Sequence, residues 1–224
     1  MNWFTSLLSS TLGRKLLMAL TGLFLILFLV IHLIGNLQLL KNDGGESFNV
    51  YAKFMTSNPL ILIISYVNYT FIIIHILWAI ILTTRNRGAR GKEGYAVNKN
   101  SSPWTSRNMG ILGTFIFIFL VIHLKGFWYE MHWGGIATAN YDGEEVKNLY
   151  AVVDAAYAQS WYVGIYVLSM LVLAFHLWHG FASAFQTLGV NHTKYNPVIR
   201  FVGRAFAIIV PSLFALIPIW MFLN

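Results

Sequence analysis

Five long stretches of this chain contain no Asp, Glu, Lys or Arg: 16–40, 59–84, 108–124, 155–193 and 205–224. A helix that crosses a bilayer needs about 20 largely apolar residues, and each stretch meets or approaches that length. The fourth is too long for one span, so its helix is placed at roughly 160–188; the third is short and continues past Lys125 towards Met131. Composition agrees. Of 224 residues 57% are hydrophobic and only 10% charged, whereas a soluble domain carries roughly a quarter charged. So apolar a chain of this length cannot hide its surface in water, and it is too apolar to be disordered. The expected fold is all-α: a single integral membrane bundle over 1–224, with five transmembrane helices at about 14–40, 59–85, 107–131, 160–188 and 200–223. The apolar run after Arg14 and Lys15 is too long for a signal-peptide core and no small-residue cleavage site follows, so it is expected to be the first permanent helix.

The connections carry the orientation. With the N-terminus, 85–107 and 194–204 on one side, that side holds Arg14, Lys15, Arg85, Arg87, Arg90, Lys92, Lys99, Arg107, Lys194, Arg200 and Arg204. The other side keeps Lys41, Lys53, Lys125 and Lys147, and all the acids except Glu93. Positive charge resists translocation, so the first side is expected to be cytoplasmic and the C-terminus outside. The net charge of +7 then reflects topology and not nucleic-acid binding. The longest connection, 131–159, is expected outside, with Trp133 and Tyr141 at the membrane interface. With no cysteine, the chain holds no disulfide, no Cys-ligated zinc and no iron–sulfur cluster of its own.

Of seven histidines, five lie within the spans: His32, His75, His123, His176 and His179. An ionisable group inside a bilayer is costly and faces a partner in the bundle. His32 lies 17 residues after Lys15, and His123, His75 and His176 each lie 16 after Arg107, Pro59 and Ser160. At 1.5 Å per residue each imidazole sits about 24 Å beyond its own starting boundary. His32 and His123 therefore form a pair nearer the outer face, and His75 and His176 a pair nearer the inner face, in layers ~10 Å apart. Independent core histidines have no reason to sort in this way. Residues 28–35 (FLVIHLIG) and 119–126 (FLVIHLKG) agree at seven of eight positions, as though helices one–two and three–four were copies of one hairpin.

Gly35 and Gly126 lie three residues after their histidines, Gly180 lies four after His176, and Ala79 takes that place for His75. Positions i+3 and i+4 share a face with i, so open space is expected beside each imidazole; close helix packing would use the same small residues. Zinc would want a third or fourth ligand, and no acid or cysteine lies at that depth. Haem iron needs two axial ligands and an apolar wall. Two bis-histidine haems are therefore expected, and a histidine proton relay in a haem-free transporter is the competing reading. His179 shares the face of His176 and rivals it as ligand, but depth favours His176.

Five spans, a histidine in each of the first four, Phe175-His-Leu-Trp-His-Gly180, Gly189 at the exit of the fourth helix and Ser106-Arg-Asn-Met109 before the third resemble a known family. It is the dihaem cytochrome b membrane-anchor subunit of succinate dehydrogenases and fumarate reductases, of the single-subunit five-helix type. The resemblance covers essentially the whole chain. It implies flavoprotein and iron–sulfur subunits on the cytoplasmic face of the cell inner membrane, and electrons passing between those clusters and membrane quinone, commonly menaquinone, through two haem b groups. It pairs His32 with His123 on the outer haem and His75 with His176 on the inner. Succinate chemistry is implied for the complex and not for this chain. Some members carry a glutamate in the fourth helix that serves proton movement; here 170–175 holds no acid, so that route is not expected. Arg14, Lys15 and Arg107 are candidates for haem propionates, with His179 a neighbour of the inner haem. Asn36, Gln38, Tyr51, Lys53, Glu130 and His132 are candidates for quinone. An anchor of another dehydrogenase, such as a hydrogenase, has the same histidine placement.

Overall fold

The computed structural model describes residues 2, 10–90 and 103–224. Lys92, Glu93 and Lys99 of the sidedness argument lie outside the described residues, and only the backbone of Arg90 is described. The chain is mostly helical. In order come α1 (Thr11–Asn36) with a 3₁₀ turn (Leu37–Leu40), α2 (Glu46–Ser57), α3 (Pro59–Arg90), α4 (Trp104–Arg107) and α5 (Met109–His123). A π-helical turn (Leu124–Trp128) joins α5 to α6 (Tyr129–Trp133); then follow β1 (Thr138–Tyr141), β2 (Glu144–Lys147), α7 (Leu149–Tyr157), α8 (Ser160–Thr187) and α9 (Asn196–Leu223). Five helical stretches are long and apolar enough to cross a membrane: Thr11–Leu40, Pro59–Gly88, Met109–Trp133, Ser160–Thr187 and Asn196–Leu223. This is the pattern of a multi-pass membrane protein.

Local chemistry sets the boundaries. Ser10 caps α1, its Oγ accepting from Gly13 N–H at 2.9 Å. Asn58 Oδ1 accepts from Leu60 N–H at 3.0 Å, and Pro59 opens α3, where its missing N–H costs nothing. Pro197 likewise sits in the first turn of α9, so that helix begins at Asn196 and not near 200; Arg200 and Arg204 stand inside it. Pro211 and Pro218 lie within α9 and are buried there, where neighbouring helices cover the freed backbone.

Helix α8 is the hub of the bundle, packed on α9, α1 and α5, while α3 packs mainly on α1. The bundle has two unlike ends. Arg14, Lys15, Arg85, Arg87, Arg107, Arg200 and Arg204 cluster at the basic end. The other end is capped. Here 131–159 is more than an interfacial loop: β1 and β2 pair antiparallel with Tyr141 opposite Glu144. Asp142 (φ 52°) and Gly143 (φ 89°) form the two-residue turn, whose positive φ values suit an Asp-Gly pair.

Helix α2, the hairpin and α7 are tied together by Asn49, whose residue is 0% exposed. Its Nδ2 donates to Tyr141 Oη and Asn148 Oδ1, both at 3.0 Å, and its Oδ1 accepts from Tyr150 N–H at 2.9 Å. Asn148 in turn caps α7 by accepting from Ala151 N–H. At the start of α2, the Ser47 hydroxyl, the N–H groups of Ser47 and Gly45 and the charge of Lys41 hold the Asp43 carboxyl below the usual range. The main cluster of buried apolar residues, among them Leu33, Leu39, Phe48, Phe127, Val153, Tyr157, Tyr166, Val210 and Ile217, lies towards this end.

Candidate cofactor site

The structure brings the span histidines together in two pairs. His32 on α1 and His123 on α5 have ring centres 5.6 Å apart, nearly perpendicular. His75 on α3 and His176 on α8 have ring centres 6.4 Å apart. The pairs that meet are the pairs the depth count expects. His179 lies one turn beyond His176 and is half-buried, and the ring facing His75 is that of His176.

Two helices carry both levels. Thr21 of α1 touches His75, and His32 follows eleven residues later, a rise of about 16 Å. Tyr166 of α8 touches His123, and His176 follows ten residues later, a rise of about 15 Å. The layers therefore stand further apart than the ~10 Å expected from counting. The count started α1 at Lys15, but the helix begins at Thr11 and Arg14 is only 7% exposed within the bundle.

Each pair has a hydroxyl partner. Thr21 Oγ1 lies 3.1 Å from His75 Nδ1 and donates its own hydrogen to Leu17 O at 2.8 Å. With that hydrogen committed, Thr21 can accept from His75 Nδ1–H, the tautomer that leaves the Nε2 lone pair free. Tyr166 Oη lies 3.2 Å from His123 Nδ1 and 3.4 Å from Tyr162 Oη. His176 Nδ1 is buried with no hydrogen-bond partner among the described residues, which is uncommon for a buried polar atom.

The surroundings differ in kind. Phe28 stacks on His32 at 5.2 Å and Phe214 of α9 lies 5.7 Å away; Phe119 and Phe127 flank His123 at 5.7 and 5.6 Å. The other pair has Gly22 against the His75 ring and Trp78 one turn on, with the Arg14 guanidinium 5.6 Å over the Trp78 ring.

These residues fit a metal that takes two imidazoles on opposite sides. Metal–imidazole bonds of about 2 Å put opposed ring centres about 6 Å apart, which matches 6.4 Å and exceeds 5.6 Å only slightly. All four imidazoles are only half-buried although they face one another inside the bundle, and a side chain on Gly180 would meet nothing within 4 Å. Among the described residues no three of His, Asp, Glu or Cys converge on one point, so the donor sets are pairs. A flat macrocycle that supplies its own equatorial ligands suits them.

The other glycines need a correction. Open space was expected beside His32 and His123 at Gly35 and Gly126. Instead the Tyr51 ring fills the place of a Gly35 side chain and the Tyr162 hydroxyl that of Gly126; close packing explains these two glycines.

The remaining candidates separate. Arg14 is buried beside Trp78, near the His75 level, whereas Lys15 and Arg107 are exposed. Five of the six quinone candidates have a hydrogen-bond or ion-pair partner within the chain. Asn36 Nδ2 donates back to His32 O at 2.8 Å and Gln38 Nε2 to Ile34 O at 3.4 Å. Lys53 pairs with Glu144 at 2.6 Å and Glu130 with Lys125 at 3.1 Å. His132 Nδ1 lies 2.8 Å from Trp128 O, and Tyr51 packs on Gly35. The cavity at the capped end, about 270 Å³, is lined by Lys53 but by none of the other five.

Sequence reasoning missed Thr21, Tyr166 and the aromatic contribution of α9. Thr21 was findable: eleven residues make just over three turns, so it shares a face with His32 at the depth of the other pair. Tyr166 carries no comparable signal. Comparison with family models, curated proteins and solved structures finds no match to this chain.

Proposed function

We propose that this chain is the dihaem cytochrome b membrane anchor of a succinate dehydrogenase or fumarate reductase, carrying electrons between a cytoplasmic iron–sulfur subunit and membrane quinone, commonly menaquinone. The observation that supports it is the two-level arrangement: two histidine pairs, each drawn from two different helices, stacked about 15 Å apart along α1 and α8.

In this reading His75 and His176 hold one haem b and His32 and His123 the other, through Nε2 in the case of His75. When bound, each haem iron carries one electron at a time by alternating between ferric and ferrous states. The chain's own residues fix where that happens. Phe28, Phe119, Phe127 and Phe214 make an apolar wall around the His32–His123 level. Arg14, buried near the His75 level, is placed to pair with a propionate, where a charge-assisted bond offsets its burial. The basic end faces the cytoplasm by the charge rule and is where the iron–sulfur and flavoprotein subunits dock.

A reduced-minus-oxidised spectrum of the purified complex tests this. Bands of two low-spin b-type haems, reduced by succinate in a preparation containing a flavoprotein, are expected. Absence of haem would favour a histidine-lined transporter; haem reduced by hydrogen and not by succinate would favour a hydrogenase anchor.

A further inference from the structure

The two levels differ in what holds the histidine on its far side. At the basic-end level, His75 Nδ1 meets the alcohol of Thr21, whose hydrogen is already spent on Leu17 O at 2.8 Å. At the capped-end level, His123 Nδ1 meets the phenol of Tyr166, which stacks with Tyr162 at 4.9 Å. Each hydroxyl belongs to the helix that carries a ligand of the opposite level: Thr21 shares α1 with His32, and Tyr166 shares α8 with His176. Neither residue touches the ring of the second histidine in its pair by any hydrogen bond among the described residues.

We propose that Thr21 and Tyr166 are positioning residues, each acting through one histidine to set the tautomer, ring orientation and electron donation of one haem only. The inference rests on the haem reading above. A hydroxyl oxygen that accepts Nδ1–H leaves Nε2 free to bind metal and makes the imidazole a stronger donor, which favours the ferric state. Removing the acceptor weakens that donation, so the midpoint potential of the corresponding haem rises. The two hydroxyls are unequal. Thr21 has only one direction left to it, whereas Tyr166 sits in a phenol pair that shares the load. The same device thus gives two haems with the same ligands separate controls, one per helix.

The test uses the full chain in its native complex, in membranes. Redox titration followed optically resolves the two haems, and electron paramagnetic resonance of the ferric state reports ligand orientation. Thr21→Val is expected to raise the midpoint of the His75–His176 haem and shift its ferric signal, leaving the other haem unchanged. Tyr166→Phe is expected to do the same to the His32–His123 haem alone, and Thr21→Ser to restore the wild-type value. Loss of just the His75–His176 haem in Thr21→Val, regained in Thr21→Ser, supports the proposal equally. Unmoved midpoints with both haems bound overturn it. So does a shift of the same haem by both variants, or a Thr21→Ser protein as altered as Thr21→Val, since the hydroxyl then carries no role. Failure of the underlying reading is seen separately, as wild-type protein lacking b-type haem before any substitution is made.

Discussion

The His32–His123 and His75–His176 pairs use the same chemistry in opposite settings. The first stands in the chain's own core: aromatic rings surround it, and the cap of α2, hairpin and α7 lies over it. The second stands beside glycine, a tryptophan and a buried arginine. Identical side chains therefore do not make identical sites. One site is organised by the protein itself, and the other leaves more to whatever binds there.

The strongest way to break this comparison is to delete the ligands. His75→Ala or His176→Ala should abolish one haem's absorption and leave the other; His32→Ala or His123→Ala should do the reverse, and His179→Gln should leave both. Difference spectra at low temperature decide, and loss of one haem by paired changes at His32 and His75 would contradict the pairing.

Next in size is the cap. Asn49→Ala removes three hydrogen bonds, to Tyr141, Asn148 and Tyr150, a loss of about 1–3 kcal/mol. Thermal unfolding of the solubilised protein should fall accordingly, and the His32–His123 haem should respond before the other.

A smaller contrast lies in the glycines. Gly35→Ala drives a methyl into the Tyr51 ring and should cost about 1–3 kcal/mol unless the ring moves. Gly180→Ala meets no protein atom, so in the haem-free chain it should fall within about 0.5 kcal/mol of wild type. A haem-free Gly180→Ala protein less stable than Gly35→Ala would show that the space beside His176 is not where the structure puts it.

The smallest effect is that of pH on the cap. Asp43 is held below the ordinary carboxylate range by its hydrogen bonds. Its contribution is present above the unfolded value near 3.9 and is lost as pH falls through the lower folded value. Amide exchange at Gly45 and Ser47 should therefore accelerate only at strongly acidic pH, and Asp43→Asn should remove the dependence.

The spans and histidine pairs were legible because bilayer length and charge exclusion act on sequence directly. Boundaries were less so. Arg200 and Arg204 looked like the edge of a span, yet a helix continues through them from Pro197, since charged side chains tolerate a helix that projects past the apolar zone. The cap was underread. Asp142-Gly143 announces a hairpin, but α2 and α7 carry mixed faces whose partners are set by tertiary contacts such as those of Asn49. Gly35 and Gly126 misled for a related reason: a small residue permits a neighbour without naming it, and the neighbours, Tyr51 and Tyr162, come from distant segments.

The π-helical turn at Leu124–Trp128 begins one residue after His123. A wider turn of this kind inserts a single extra residue and advances every later side chain by about 100° around the helix axis. Phe127 thereby points into the core at 8% exposure while Trp128 reaches Tyr69 of α3, its Nε1 donating at 2.8 Å. The segment up to His123 and the segment beyond it are thus two independently phased surfaces on one rod. Removing one residue there would reseat everything from Phe127 to Trp133 against different neighbours without displacing the histidine.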